Sequence, residues 1–416
     1  MRDDMFPWQD SSSLSTLFKA LTVDLKTSTN LLRFVGGCVR DSLLKRPWHD
    51  VDLATSLLPE EVIKRLQNAR IPYFTAGISH GTVTAVVDKT AYEITTLRRD
   101  IQSDGRHAIV AFTEDWKIDA HRRDFTINAL FMDWTGTLYD FVGGQEDLYQ
   151  GRVRFVGVPE ERIKEDFLRI LRLFRMFAFY GKEPLEETTL KVVQKYAPEI
   201  KKLSTERIHA EFLRLLEAPN PENALALMNT YRVLREISEN LEVPSFFETF
   251  IKIEKQIQGP NPLLRLSALL LQTSKDLKSD ALKSFLIMKK EINYILSMLS
   301  YKEFLVSQEP LMFSRALLYK MKLPLCRDVM ILKSALLPKG KSSISLLKQI
   351  LKKAEDENER LIFPLSGKDL LSLGVEPGPF MGSLLKKAED FWMENDCSLS
   401  KEECLSYIKE DISKGF

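Results

Sequence analysis

The spacing of apolar residues divides the chain near residue 157. Before that point short apolar runs alternate with polar turns. Leu31–Val35, Val51–Ala54, Thr82–Val87, Tyr92–Leu97, Ile109–Phe112 and Leu138–Val142 are rich in β-branched and aromatic residues and predict strands. Val39–Leu44 and the stretch opened by Pro59 predict helices between them, the proline standing where a helix start tolerates it. Turns fall at Asp88-Lys89 and Asp104-Gly105. After Pro159 nearly every segment has the spacing of an amphipathic helix, with breaks at Pro184, Pro198, Pro219, Pro260, Pro310, Pro338 and Pro377. No fixed-period repeat and no low-complexity tract interrupts it. The pattern predicts an α+β protein, with an N-terminal mixed sheet that carries chemistry followed by a long all-α extension.

Composition changes this picture little. Of the 416 residues 44% are apolar and 28% charged, the usage of an ordinary soluble protein with room for several domains. The first residues are polar and acidic, without the apolar core of an export signal. The apolar run Leu263–Leu271 is short and interrupted by Arg265, so no membrane span is expected and a cytoplasmic location is. Cys38, Cys326, Cys397 and Cys404 lack the spacing of a disulfide framework or a zinc site. The net charge is only +1, but Phe313–Lys353 carries +9 while the rest sums to −8. That stretch is either a solvated face or a phosphate-binding surface.

Three short clusters carry candidate chemistry. Gly36-Gly37, between a strand and a helix, lets backbone approach an anion, with Arg40 in the following turn to pair with it; the plain alternative is a turn. Asp50 and Asp52, two apart on a strand signal, put two carboxylates on one face; the plain alternative is an exposed turn. Such a pair repels itself unless a cation neutralises it, and oxygen ligands of this kind suit Mg²⁺. Two ions about 3.5–4 Å apart activate an attacking hydroxyl and stabilise a leaving pyrophosphate. In the second cluster, Arg122-Arg123-Asp124-Phe125-Thr126-Ile127-Asn128, Arg123 is a candidate triphosphate ligand, and Asp124 and Asn128, one helical turn apart, are placed to brace it; the plain alternative is a solvated arginine pair at a helix start. The third, Glu165-Asp166-Phe167-Leu168-Arg169-Ile170-Leu171-Arg172-Leu173-Phe174-Arg175, sets Asp166 and Arg169 at i,i+3. Either they form an internal ion pair, or they present an acceptor beside a donor to a base edge. Cytosine and adenine both match that polarity, whereas guanine and uracil oppose it.

Taken in order over about Leu32–Arg175, these elements closely resemble the family of class II tRNA nucleotidyltransferases and bacterial poly(A) polymerases. The resemblance implies a polymerase-β-like head followed by helical neck, body and tail, drawn here at residues 1–150, 151–218, 219–305 and 306–416. It implies Mg²⁺ at Asp50 and Asp52, with Glu93 a possible third carboxylate, triphosphate contacts from Gly37, Arg40 and Arg123, and a base-reading pair in Asp166 and Arg169. Arg172 and Arg175 complete the nucleotide site. The partners implied are tRNA, CTP and ATP, and the activity is CCA addition, with poly(A) synthesis or A addition alone as the alternatives. Arg98–His121, including Asp104-Gly105-Arg106, resembles the family's flexible loop at full length. Some relatives carry an HD phosphohydrolase domain, and none is expected here: the last of five histidines is His209 and the one His-Asp pair is His49-Asp50.

Overall fold

The computed structural model of the chain describes residues 6–22, 30–47, 50–103, 108–239, 241–271, 288–338 and 341–414. Two compact units, Met1–Leu241 and Glu242–Phe416, make up the chain. The first opens with α1 (Ser12–Thr22), then β1 (Leu32–Val35), α2 (Gly37–Leu43), β2 (Asp52–Thr55) and α3 (Pro59–Asn68). Strands β3 (Tyr73–Phe74), β4 (Thr82–Val87) and β5 (Thr90–Thr96) follow. A hairpin of β6 (Arg98–Ser103) and β7 (Ala108–Phe112) leads to α4 (Trp116–His121), β8 (Leu130–Met132), β9 (Leu138–Asp140) and α5 (Gly144–Gln150). The sheet order is β3-β4-β5-β2-β1-β8-β9, antiparallel except for the parallel pair β2–β5, while β6 and β7 form a separate two-stranded ribbon. The expected mixed sheet is therefore present, and the β4–β5 turn stands at Asp88-Lys89, both with positive φ. The periodicity names none of α1, β3, α4, α5, β6 and β8. The strand β6, with sequence RRDIQS, is too polar to read as one, and the three-residue β8 is too short.

One face of β1 buries an aromatic cluster. Phe34 stacks on Trp8 at 4.3 Å and on Phe18 at 4.9 Å, all fully buried. The edge of the sheet is fastened by α5. Asp140 caps it, accepting from the backbone N–H groups of Gly143, Gly144 and Gln145 at 2.9–3.0 Å. Buried Asp147 accepts from the Thr126 hydroxyl at 2.7 Å, so α5 holds the short 3₁₀ turn Thr126–Asn128.

Helices α6 (Pro159–Glu165), α7 (Leu168–Tyr180), α8 (Glu187–Tyr196), α9 (Thr205–Leu216), α10 (Pro221–Thr230) and α11 (Val233–Ile237) finish the first unit. Both α9 and α10 pack on α7. Residues 219–241, grouped by sequence with the body, thus belong to the same compact unit as the neck. The physical reason is the apolar face of α10 (Ala224, Leu225, Met228), which is buried.

The second unit contains α12 (Phe247–Ile257), α13 (Pro262–Leu270), α14 (Lys289–Ser300), α15 (Lys302–Val306), α16 (Arg315–Leu336), α17 (Ile344–Asn358), α18 (Gly367–Leu371), α19 (Pro379–Glu394) and α20 (Lys401–Lys414). Because α12 packs on α16, the expected body–tail boundary at residue 305 divides one packed group. A fully buried ion pair, Glu254–Arg265 at 2.7 Å, fixes α12 to α13. Helix α16 breaks at Lys322, whose φ is +62°, just ahead of Pro324. The four cysteines are buried free thiols, and among the described residues no helix is long and apolar enough to cross a membrane.

A Cβ on Gly144 would sit 2.1 Å from the Thr126 carbonyl oxygen, because the start of α5 lies directly against the 3₁₀ turn. Gly144→Ala is expected to cost about 2–3 kcal/mol, the usual scale for forced overpacking. Denaturant unfolding checks it, and a variant as stable as the parent would contradict this packing.

Candidate nucleotide site

The three clusters converge within the first unit on a single cavity of about 490 Å³, lined by eight arginines and three aspartates. Its floor begins where β1 ends. Gly36 takes φ +72°, a conformation that favours glycine, and Gly37 opens α2. Arg40, nearly buried, reaches along the cavity wall. Its guanidinium donates to both Asp41 oxygens at 2.9–3.1 Å and to Asn128 Oδ1 at 2.5 Å, and stacks 4.1 Å from the Tyr180 ring on α7. The Tyr180 hydroxyl donates to Asp41 at 2.8 Å, so the start of the head and the far end of α7 are tied together.

Asp50 precedes β2 rather than lying in it, since the strand starts at Asp52. The alternation nevertheless holds: Asp50 and Asp52 are exposed and Val51 between them is buried. Glu93 stands directly across from Asp52 in the parallel β2–β5 pair and is also exposed. Partial burial pushes the Asp52 carboxyl above its ordinary range, the neighbouring Glu93 and Asp50 push it the same way, and Arg123 opposes them. Burial is thus the main cause, and the neighbouring carboxylates add to it. Among the described residues no three such side chains form a ready metal cluster. The oxygen-only donors Asp50 and Asp52 fit a hard divalent cation whose remaining positions go to water and phosphate oxygens.

Arg122 and Arg123 close α4 rather than starting a helix. Both are gripped by Asp119, which is 1% exposed and bonds Arg122 at 2.7 Å and Arg123 at 2.8 Å. Burial would raise that carboxyl, but the guanidiniums of Arg123 and Arg122 outweigh it and hold it low. Asp119 also accepts from the backbone N–H of Arg98, the first residue of the β6–β7 ribbon. The loop tip Asp104-Gly105-Arg106 lies outside the described residues. Asp124 and Asn128 bond at 3.2 Å, as their spacing suggested, and Asp124 receives Arg172 from α7 at 2.8 Å through Nε.

The third cluster departs from expectation. Asp166 and Arg169 do not share a helix: Asp166 stands at the break between α6 and α7, with φ −158° and ψ 111°, and Arg169 is in the first turn of α7. Nor do their side chains pair with each other. Asp166 accepts from the Leu168 N–H at 3.1 Å and from Arg207 of α9 at 2.7 Å. Arg169 instead bonds Glu165 and the Arg162 carbonyl. Both still line the cavity, with Arg172 and with Arg175, which bonds Glu211. The cavity residues Arg98 and Arg207, and Asp119 behind Arg122 and Arg123, were not singled out from sequence. Only Asp119 left a trace, in its i,i+3 and i,i+4 spacing to the two arginines.

A strand–Gly-Gly–helix entry, a carboxylate pair at a strand start and an arginine-lined cavity define a nucleotidyltransferase of the poly(A)-polymerase head type. The family model described as the poly A polymerase head domain matches residues 32–154, and the one described as a probable RNA and SrmB-binding site of polymerase A matches residues 184–243. The mitochondrial CCA tRNA nucleotidyltransferase 1 of Mus musculus is 34% identical, over 94% of this chain and 89% of its own. The CCA-adding enzyme of Enterococcus faecalis is 33% identical over 92% of each. The crystal structure of the Bacillus stearothermophilus CCA-adding enzyme in complex with CTP superposes with a TM-score of 0.76 at 25% identity, covering 99% of both chains. The chain belongs to the family of CCA-adding tRNA nucleotidyltransferases.

Asp124 gives the site a measurable pH dependence. Burial would raise its carboxyl, but Arg172 and the hydrogen bonds from Asn128 and Phe125 hold it at about 2, against an ordinary 3.8. A group depressed in the folded state stabilises the protein above its unfolded pKa, and that contribution is lost as pH falls from about 4 towards 2. The shift corresponds to about 2 kcal/mol. Asp124→Asn is expected to flatten the loss of stability across this window in acid titrations followed by circular dichroism. A parallel decline in parent and variant would contradict the depressed pKa.

Proposed function

We propose that this chain adds C, C and A in turn to the 3′ end of tRNA from CTP and ATP, releasing pyrophosphate at each step. The single observation that carries this reading is the convergence of Asp52, the arginine wall and the Asp166 and Arg169 side chains at one cavity, in a chain whose relatives over nearly their whole length are named for CCA addition.

The tRNA 3′-oxygen forms a bond to the α-phosphorus as the bond from that phosphorus to the bridging oxygen breaks, and pyrophosphate departs. Asp50 and Asp52 would hold Mg²⁺, which when bound lowers the pKa of the attacking hydroxyl and neutralises the leaving group. Gly37, Arg40 and Arg123 are placed along the triphosphate, with Arg172 and Arg175 adding positive charge that the developing pyrophosphate meets. Asp166 accepts from the exocyclic amine of cytosine or adenine, and Arg169 donates to the adjacent ring nitrogen. Uracil and guanine would set acceptor against acceptor and donor against donor. The buried free thiols suit a reducing cytoplasm.

Poly(A) synthesis is the second reading, because both matched family models carry poly A polymerase descriptions. Purified protein is incubated with Mg²⁺ and tRNA transcripts lacking CCA, lacking only A, or complete, with CTP, ATP or both. Ordered addition of C, C and A that then stops is the expected result. A single A added only to the CC-ended transcript, or unlimited A tailing, would replace the reading with one of its alternatives. No incorporation on any transcript would overturn it.

The basic stretch of the second unit is the proposed contact to the tRNA backbone, with a smaller charge than its composition suggests. Lys333 is fully buried and donates to the Phe304 and Ser307 carbonyls at 2.5–2.7 Å. Arg315 pairs with Glu357 and Arg327 with Glu355. Lys348, on α17, is exposed, as is Lys341. Replacing Lys341 and Lys348 by Ala is expected to weaken tRNA binding and make the slope of log affinity against log salt shallower by up to about two. An unchanged slope would exclude these lysines from the contact.

A further inference from the structure

If Asp166 reads the base, its carboxylate must be held at one place with one orientation. Its own backbone does not ensure this, because Asp166 stands between two helices rather than within either. One oxygen, Oδ1, accepts from the Leu168 N–H at 3.1 Å, a contact that leaves the side chain free to swing about it. The other, Oδ2, is held by Arg207 Nη2 at 2.7 Å. Arg207 lies in the first turn of α9, at the wall of the same cavity, with a side chain 29% exposed against 17% for Asp166. Four residues further along α9, Glu211 bonds Arg175, so this one helix grips an acid and a base of the site wall.

We propose that Arg207 is a positioning residue for nucleotide selection, fixing the Asp166 carboxylate so that its unused lone pairs face the exocyclic amine of cytosine or adenine. The inference rests on the base-reading assignment above. A carboxylate accepts at about four lone-pair directions. Leu168 and Arg207 occupy two of them, from two different chain segments, which removes the rotation of the group while leaving acceptor capacity for a ligand. Without Arg207, Asp166 keeps one backbone contact and can turn, so its polarity no longer arrives at a defined point. The loss falls on discrimination, because an unmatched base is rejected only when its groups are forced against an acceptor that cannot move aside.

The experiment measures kcat/KM for CTP and for UTP on tRNA lacking CCA, with full-length parent, Arg207→Ala, Arg207→Lys, Asp166→Ala and the Arg207→Ala/Asp166→Ala double variant. Arg207→Ala is expected to reduce the preference for CTP over UTP about tenfold, the scale of one hydrogen bond to a charged group. Arg207→Lys restores part of the preference, and in the Asp166→Ala background Arg207→Ala reduces it no further. Equal losses with CTP and UTP in Arg207→Ala, alongside a lost preference in Asp166→Ala, would overturn the positioning role and leave base reading intact. A preference retained in Asp166→Ala would overturn both, with the fault in the base-reading assignment. Should Arg207→Ala fail to fold, Arg207→Gln, shorter and uncharged, replaces it; a reduced CTP-to-UTP ratio is expected and an unchanged one would overturn the proposal.

Discussion

Eight arginines around one cavity would repel one another and, left to themselves, would not keep a shape. The site solves this by pairing them with carboxylates: Asp41 for Arg40, Asp119 for Arg122 and Arg123, Glu165 for Arg169, Asp124 for Arg172, Glu211 for Arg175 and Asp166 for Arg207. The most deeply buried of these acids, Asp119 and Glu211, are 1% and 5% exposed in their side chains. Each arginine is therefore fixed from behind while the wall keeps an excess of positive charge towards the cavity. Breaking any one such pair leaves a largely desolvated charge, which costs far more than the pair contributes. The positions of the guanidiniums are thereby set before a phosphate arrives, so little ordering is left to be done on binding.

The same pairs decide how the sheet and the helices of the first unit are joined. Asp124 of the head takes Arg172 of α7, and Asp41 takes both Arg40 and the hydroxyl of Tyr180 at the far end of that helix. The carboxylates at the β2 start are treated in the opposite way. Among the described residues no arginine bonds Asp50 or Asp52, and the Asp52 carboxyl is pushed up first by burial and then by Glu93, with Arg123 opposing. On the proposed reading, acids that serve as supports are saturated by protein cations, whereas the acids that would hold a metal ion are left without one. That contrast separates the two roles without reference to any bound ligand.

Much of this was legible in the sequence, for reasons that can be named. β1, α2, α3, β4 and β5 announce themselves through periodicity and turn residues, and the Gly-Gly and Asp-x-Asp elements through spacing that few other chemistries need. What was not legible is whatever depends on a partner distant in sequence. Arg207 lies 41 residues from Asp166, and nothing in its helix, with apolar Ile208, Phe212, Leu215 and Leu216 turned inward, marks it as part of a site. The polar β6 is a strand only because β7 pairs with it. Lys333 reads as one more surface cation until α16 places it against the carbonyls that end α15. The two-unit division at residue 241 depends on which helix α10 covers, and amphipathic periodicity says that a face is buried without saying against what.

The break between α6 and α7 gains its meaning from the same comparison. Had Glu165–Arg175 run as one continuous helix, Asp166 and Arg169 would have been i,i+3 neighbours able to consume each other as an ion pair, the plainest reading of their spacing. Extended backbone at Asp166 prevents that. The acid turns to α9 and the arginine turns back to Glu165, and each is supported by something other than its companion. An acceptor and a donor that are to face a base together must not satisfy one another first. On the proposed reading, a two-residue interruption of a helix is what turns an ordinary surface ion pair into a fixed pattern of polarity, and so lets a protein edge stand where a nucleic-acid template would otherwise be required.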